Sequence, residues 1–204
     1  MDQPESIVYV VDDDQAVCES LHWLMTSVGL PVRIFTSARE FLEAYQPDQQ
    51  GCIVLDIRMP GMSGFELQKR LAAQHDELPV IFLTGHGDVN MAVAAMRAGA
   101  FDFFEKPIDD QLLLDAVQKA VEKSEKTTLD HVHMAEIQRR RDSLSPRERE
   151  VLDLILIGEP NKRIAVRMGV GEKTVEAHRA KVMEKMRAKS LAHLFKLITE
   201  LNSH

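Results

Sequence analysis

The sequence predicts an α/β fold: a doubly wound sheet of five parallel strands in (βα)5 order, then a partly helical linker and a small all-α domain. Three observations predict it. Five short apolar runs rich in β-branched residues alternate with helically periodic stretches through residues 1–123. A Ser-Pro-Arg-Glu helix start at residues 145–148 opens a second region that reads as helix only. The charge balance also changes sign: residues 1–123 hold 9 Lys and Arg against 20 Asp and Glu, whereas residues 142–204 hold 12 against 9. The division expected is therefore 1–123, a linker over 124–141, and 142–204.

The first strand is Ile7-Val8-Tyr9-Val10-Val11, which stops at Asp12-Asp13-Asp14. Val17, Leu21, Leu24, Met25 and Val28 then repeat at helical spacing up to Gly29. Val32 to Phe35 makes a second strand, and Ser37-Ala38-Arg39-Glu40 reads as a capping box opening the helix of Phe41 and Leu42. Cys52 to Leu55 runs into Asp56, and a further box, Ser63-Gly64-Phe65-Glu66, opens a helix with Leu67 and Leu71. Pro79 to Leu83 ends at Thr84, Ala92, Ala95 and Met96 mark a fourth helix, Phe103-Phe104 a short fifth strand, and Leu113, Ala116, Val117 and Ala120 a fifth helix. Consecutive βα units require right-handed crossovers, so helices must cover both faces of a parallel sheet.

Functional groups in such sheets collect beyond the carboxyl ends of the strands. Asp12 and Asp13 follow the first strand, Asp56 the third, Thr84 ends the fourth, and Lys106 follows the fifth. Carboxylates, a hydroxyl and an ammonium distant in sequence should thus meet at one edge. Clustered carboxylates repel unless a hard cation lies among them, and Mg²⁺ (or Mn²⁺) suits oxygen donors. An Asp beside such an ion can act as nucleophile toward a phosphoryl group, with Lys106 and Thr84 placed to stabilise its oxygens. Taken singly, each of these residues is as readily a turn former or a solvated charge.

The linker lacks Gly and Pro, and its apolar residues follow helical spacing only loosely. Beyond it, Val151, Leu152, Ile155 and Leu156 form an apolar face before Gly158. Asn161 is expected to cap a short helix with Ile164, Ala165 and Met168, ending at Gly169, and a turn at 170–172 leads into a helix over Lys173–Met186. Two short helices joined by a tight turn suit a helix-turn-helix, and equally a small bundle that binds protein. The composition, 45% hydrophobic and 28% charged, excludes a disordered chain. No run reaches membrane-span length, and Asp2 and Glu5 stand where a secretory leader would carry bases, so a cytoplasmic protein with no membrane partner is expected. Cys18 and Cys52 have no metal-ligand spacing and read as buried or free thiols.

Val11-Asp12-Asp13-Asp14, Leu55-Asp56-Ile57-Arg58-Met59-Pro60-Gly61-Met62-Ser63-Gly64, Thr84-Gly85-His86-Gly87 and Glu105-Lys106-Pro107 together resemble a two-component receiver domain over residues 5–123. Leu144 to Leu152, Lys173 to Lys181 and Ala188-Lys189-Ser190 resemble the LuxR/GerE-type DNA-binding domain, and Thr84 to Val89 is similar to the FixJ branch of response regulators. The resemblance implies that Asp56 is the phosphoacceptor and that Asp12, Asp13, Asp56 and the Arg58 backbone carbonyl hold the metal. It implies that Lys106 contacts phosphate, that Thr84 and Phe103 form a switch pair, and that Pro107 follows a cis peptide. Arg58 and His86 would tune dephosphorylation. In the second domain, Glu176, Ala177 and Ala180 would face the groove, while Lys173, Thr174, Arg179, Lys181 and Lys185 would hold phosphates.

The implied function is a transcription factor that a sensor histidine kinase phosphorylates, that dimerises through its receiver, and that binds promoter DNA to activate transcription through RNA polymerase. It would be no enzyme beyond its own phosphoryl transfer and autodephosphorylation. Two alternatives stay open on the residues alone: a metal-dependent phosphatase, although no second Asp stands two positions after Asp56, and a DNA-binding protein whose first domain only dimerises.

Overall fold

The computed structural model describes residues 6–47, 49–74, 76–85 and 88–202. Two compact units divide at Leu129 and Asp130. The first holds β1 (Ile7–Val11), α1 (Gln15–Ser27), β2 (Val32–Phe35), α2 (Ala38–Ala44), β3 (Gly51–Leu55), α3 (Gly64–Ala73), β4 (Val80–Thr84), α4 (Val89–Arg97) and β5 (Asp102–Glu105), and the long helix α5 (Asp110–Asp142) begins in it. All strand pairs are parallel, in the order β2-β1-β3-β4-β5. The order reverses between β1 and β3, so their carboxyl ends flank the crevice where such sheets bind ligands.

Alternation along the strands divides the core. Tyr9, Val11, Ile53, Leu55 and Phe82 pack toward Phe41 of α2, Leu67 and Leu71 of α3 and Ala95 of α4. Val8, Val10, Cys52, Val54, Ile81 and Leu83 pack on the other face toward Cys18, Leu21 and Met25 of α1 and Leu113, Val117 and Ala120 of α5. Because both faces are covered, β1, β3 and β4 read as unbroken apolar runs. Tyr9, Phe35, Phe41 and Tyr45 form an aromatic cluster, with Tyr9 edge-on to Phe41 at 5.6 Å between centroids.

Several local features differ from the sequence expectation. Ser37 accepts from the Glu40 N–H, but Glu40 reaches back to the N–H and hydroxyl of Thr36, so the box at α2 is not reciprocal. The box at Ser63 and Glu66 closes on both sides. Val28 lies beyond the end of α1 and is exposed, and Met96 on α4 also faces solvent, leaving Ala95 to bury that helix. Residues 124–141 lie wholly within α5. No helix among the described residues is long and apolar enough to cross a membrane.

The second unit holds the end of α5, then α6 (Pro146–Leu156), α7 (Asn161–Met168), α8 (Glu172–Lys185) and α9 (Leu191–Asn202). Ile137, Val151, Leu152, Ile155, Ile164, Val175, Val182, Met186 and Leu194 make one core. Pro160, not Asn161, is the N-cap of α7, which starts without a side-chain cap; Gly169 ends it in the left-handed conformation at φ 66°. The sequence expectation contained no α9, whose Leu194, Leu197 and Ile198 are buried.

Candidate functional site

Two strand ends supply buried carboxylates. Asp12 and Asp56 are 4% and 7% exposed, and each is fixed by a backbone donor: the Asp14 N–H reaches Asp12 Oδ1 at 2.9 Å, and the Arg58 N–H reaches Asp56 Oδ2 at 2.6 Å. Lys106 Nζ stands between them, 2.5 Å from Asp12 Oδ2 and 3.4 Å from Asp56 Oδ1. Burial pushes the Asp12 carboxyl above its usual range, and the Lys106 ammonium and the Asp14 N–H oppose that rise. Burial acts to lower the Lys106 pKa, but its bonds to Asp12 and Asp56 outweigh it and leave the ammonium raised.

The surrounding backbone fixes this arrangement. Asp56 N–H bonds the Val11 carbonyl at 2.9 Å, continuing the β1–β3 ladder past the last strand residue, and Lys106 N–H bonds the Thr84 carbonyl at 2.9 Å. The Lys106–Pro107 peptide is cis. A close approach by α3 supports Asp56 from behind: Gly64 N–H bonds the Ile57 carbonyl at 3.0 Å, and a Cβ at Gly64 would stand 2.3 Å from the Asp56 carbonyl oxygen. Cys18, itself buried, donates from Sγ to the Asp12 carbonyl at 3.3 Å, and burial followed by the nearby Asp12 charge pushes its thiol up to about 11.

Thr84 is buried at the end of β4, and Phe103, opposite Phe82 in the β4–β5 register, is half-buried with its ring 6.4 Å from that of Phe82. Asp13 and Arg58 are exposed beside the crevice. Asp14, the third acid after β1, caps α1 by accepting from Ala16 and Val17 N–H. His86 lies outside the described residues. Among the described residues no three acidic, His or Cys side chains form a ready-made metal cluster, and Lys106 is paired with both Asp12 and Asp56. The donor chemistry nevertheless suits Mg²⁺: two dry carboxylates share one ammonium, with a further carboxylate at the rim, so hard oxygens and negative charge are in excess.

In the second unit α7, the turn at Gly169–Gly171 and α8 form a helix-turn-helix. Val175 and Val182 anchor α8, leaving Lys173, Thr174, Glu176, Ala177, Ala180 and Lys181 exposed and Arg179 half-buried. Lys185 departs from its expected place at a phosphate. Its ammonium bonds Glu148 Oε2 at 2.5 Å and the Ser143 carbonyl at 3.2 Å, closing a link from the end of α8 to the start of α6. Sequence reasoning missed this pair, although Glu148 was legible as a cap; its oxygen also accepts from Ser145 N–H at 2.7 Å. Glu148, only 6% exposed, is held below the usual carboxylate range by Lys185 and then by Ser145 N–H.

Glu148→Ala is expected to destabilise the second unit by about 2 kcal/mol, through a lost cap and an unpaired ammonium. Glu148→Gln keeps an acceptor for Ser145 and should cost about half as much. Amide exchange at Val151 and Val182 reads both values. Because the folded pKa is lowered, the contribution is complete above the ordinary Glu range near pH ~4.3 and is lost as pH falls through the folded value.

Comparison with known proteins covers both units. The family model described as response regulator receiver domain matches residues 8–118, and that described as bacterial regulatory proteins, luxR family, matches residues 142–198. The chain is 48% identical to transcriptional regulatory protein FixJ of Azorhizobium caulinodans, over 95% of this chain and 92% of that protein. It is 46% identical to nodulation protein W of Bradyrhizobium diazoefficiens, over 95% of this chain and 85% of that protein. The solved structure of response regulator StyR superposes with a TM-score of 0.89 at 43% identity, covering 96% of this chain and 99% of that one. With the acidic crevice on one unit, the helix-turn-helix on the other, and relatives matched through both, the chain belongs to the FixJ family of two-component response regulators, a receiver domain joined to a LuxR-type DNA-binding domain.

Proposed function

We propose that the chain is a phosphorylation-controlled transcription activator of the cytoplasm, with Asp56 as its phosphoacceptor. The observation that carries this reading is the meeting of Asp12, Asp56 and Lys106 at the strand ends, with Thr84 closing β4. An Asp56 carboxylate oxygen attacks phosphorus of a phosphohistidine on a sensor kinase; the P–O bond forms as the P–N bond breaks, and the imidazole leaves. Asp12, Asp13, Asp56 and the Arg58 carbonyl would hold Mg²⁺ or Mn²⁺, which when bound neutralises charge on the transferring oxygens. Lys106 leaves its carboxylate partners for the new dianion, the Thr84 hydroxyl turns to it, and Phe103 follows inward. Arg58 and His86 tune how fast that acyl phosphate is hydrolysed, so turnover is limited to the chain's own acyl phosphate.

Residues 1–123 carry this chemistry, 124–141 link, and 142–204 bind DNA. The exposed apolar residues Val89, Val93 and Met96 on α4 support dimerisation of the phosphorylated receiver through the α4 and β5 face. Two α8 helices then read half-sites about one helical turn apart. Glu176 accepts from a cytosine amino group and Ala177 touches a thymine methyl, with Ala180 beside them, while Lys173, Thr174, Arg179 and Lys181 hold phosphates. RNA polymerase is the partner once the promoter is bound. Intact mass and size-exclusion elution after treatment with acetyl phosphate, with and without Mg²⁺, test the reading. A Mg²⁺-dependent gain of one phosphate with a monomer-to-dimer shift is expected; no gain overturns it.

A further inference from the structure

Away from the acidic crevice, a cavity of about 680 Å³ opens between α2 and the segment that leads from β3 into α3. Its apolar lining is Leu42, Pro60 and Met62. A second cavity of about 380 Å³ shares Leu42 and Arg70 with it and continues along α2 and α3 toward Tyr45. The volume is that of a small-molecule site.

The charges around it are unequal in their commitments. Arg39 Nε is paired with Glu43 at 2.8 Å. Glu66 accepts from the Ser63 N–H at 2.9 Å and from its hydroxyl at 2.8 Å, completing the α3 cap. The Arg70 guanidinium, which lines both cavities, is in no side-chain hydrogen bond or close ion pair among the described residues, and its charge acts at longer range on Glu66 of the same lining. A guanidinium offers paired donors in a plane that matches a carboxylate. One guanidinium without a close carboxylate contact, beside an apolar wall, therefore complements a ligand with one anionic end and an apolar body.

The geometry points to a ligand site between α2 and α3 that takes a small amphipathic carboxylate, its carboxylate on Arg70 and its apolar body against Leu42, Pro60 and Met62. This site goes beyond the phosphorylation reading and does not depend on it, because Asp56 is not among its lining residues. Arg70 is exposed near the end of α3, so its replacement by another helix-forming residue leaves the fold intact.

The test is an NMR titration of the full chain, unphosphorylated, with 4-phenylbutyrate, its neutral amide and acetate. The expected result is saturable shifts at the Leu42, Gly61, Met62 and Arg70 amides with 4-phenylbutyrate. Affinity should be about tenfold weaker for the amide and for Arg70→Gln, with no saturation by acetate. Absence of saturable shifts at these positions would overturn the site. Equal binding of the amide, or by Arg70→Gln, would show that Arg70 does not recognise the anion and would overturn it as well. Saturation by acetate at the same concentrations would reduce it to a simple anion contact and reject the apolar subsite.

Discussion

Asp56→Asn is expected to take up no phosphate from acetyl phosphate and Mg²⁺ under conditions in which the parent chain should gain one, and to stay at the parent's unphosphorylated elution volume. The substitution removes a nucleophile and keeps its shape. An amide oxygen can still accept the Arg58 N–H now bonded to Asp56 Oδ2 at 2.6 Å, so the loop after β3 should keep its path. The neutral amide, however, attracts neither Lys106 nor a cation, and its oxygen is too weak a nucleophile to form an acyl phosphate. Stability should change by no more than about 1 kcal/mol, since one charge repulsion and one attraction disappear together. Mass spectrometry gives the first quantity and urea denaturation the second. Phosphate gained by the variant at the parent's rate would move the acceptor away from Asp56.

Gly64→Ala should have the larger effect on stability, although it adds one methyl group. The Cβ would meet the Asp56 carbonyl oxygen at 2.3 Å, the Asp56 carbonyl carbon at 3.1 Å and Ile57 Cα at 3.1 Å. All three are backbone atoms of the segment that aims the Asp56 side chain, so no flexible side chain can swing away. Overpacking against fixed atoms costs about 3 kcal/mol. The relief available, a shift of α3 away from β3, also displaces Asp56 relative to Lys106. Urea midpoints should fall accordingly, and at temperatures where the variant is still folded its phosphorylation should slow at least about tenfold. Parent-like midpoint and rate together would show that α3 moves without carrying Asp56.

How much of this was legible from the residues depended on how local the cause was. Strands buried on both faces show themselves as apolar runs, and the boxes at Ser63 and Ser145 are closed by residues three apart. The strand-end acids followed from the topology those runs imply. The bond between Lys106 and Asp12 joins residues 94 apart, and nothing in the sequence separates a lysine waiting for phosphate from one already paired. The same holds for Lys185, 37 residues from Glu148. The linker's loose periodicity has a physical reason: Leu113, Val117 and Ala120 serve one core and Ile137 another, so a single helix carries two apolar phases. Helix α9 was missed because the break before it is made by Arg187 at φ 51°, a left-handed residue that is neither Gly nor Asn. Leu194, Leu197 and Ile198 mark the helix clearly, and Ser190 accepts from His193 N–H at its start.

The thiol behind Asp12 bears on how the protein can be handled. Cys18 is pushed up to about 11 and Cys52 to about 12, and both are buried. Near neutral pH the reactive thiolate of each is scarce and shielded, so maleimides and peroxide should leave both largely untouched in the folded chain. A fluorophore or spin label can then be directed to one introduced surface cysteine, on α4 or α8 for example, with the two native sulfurs left in place and the packing beneath the acidic crevice undisturbed.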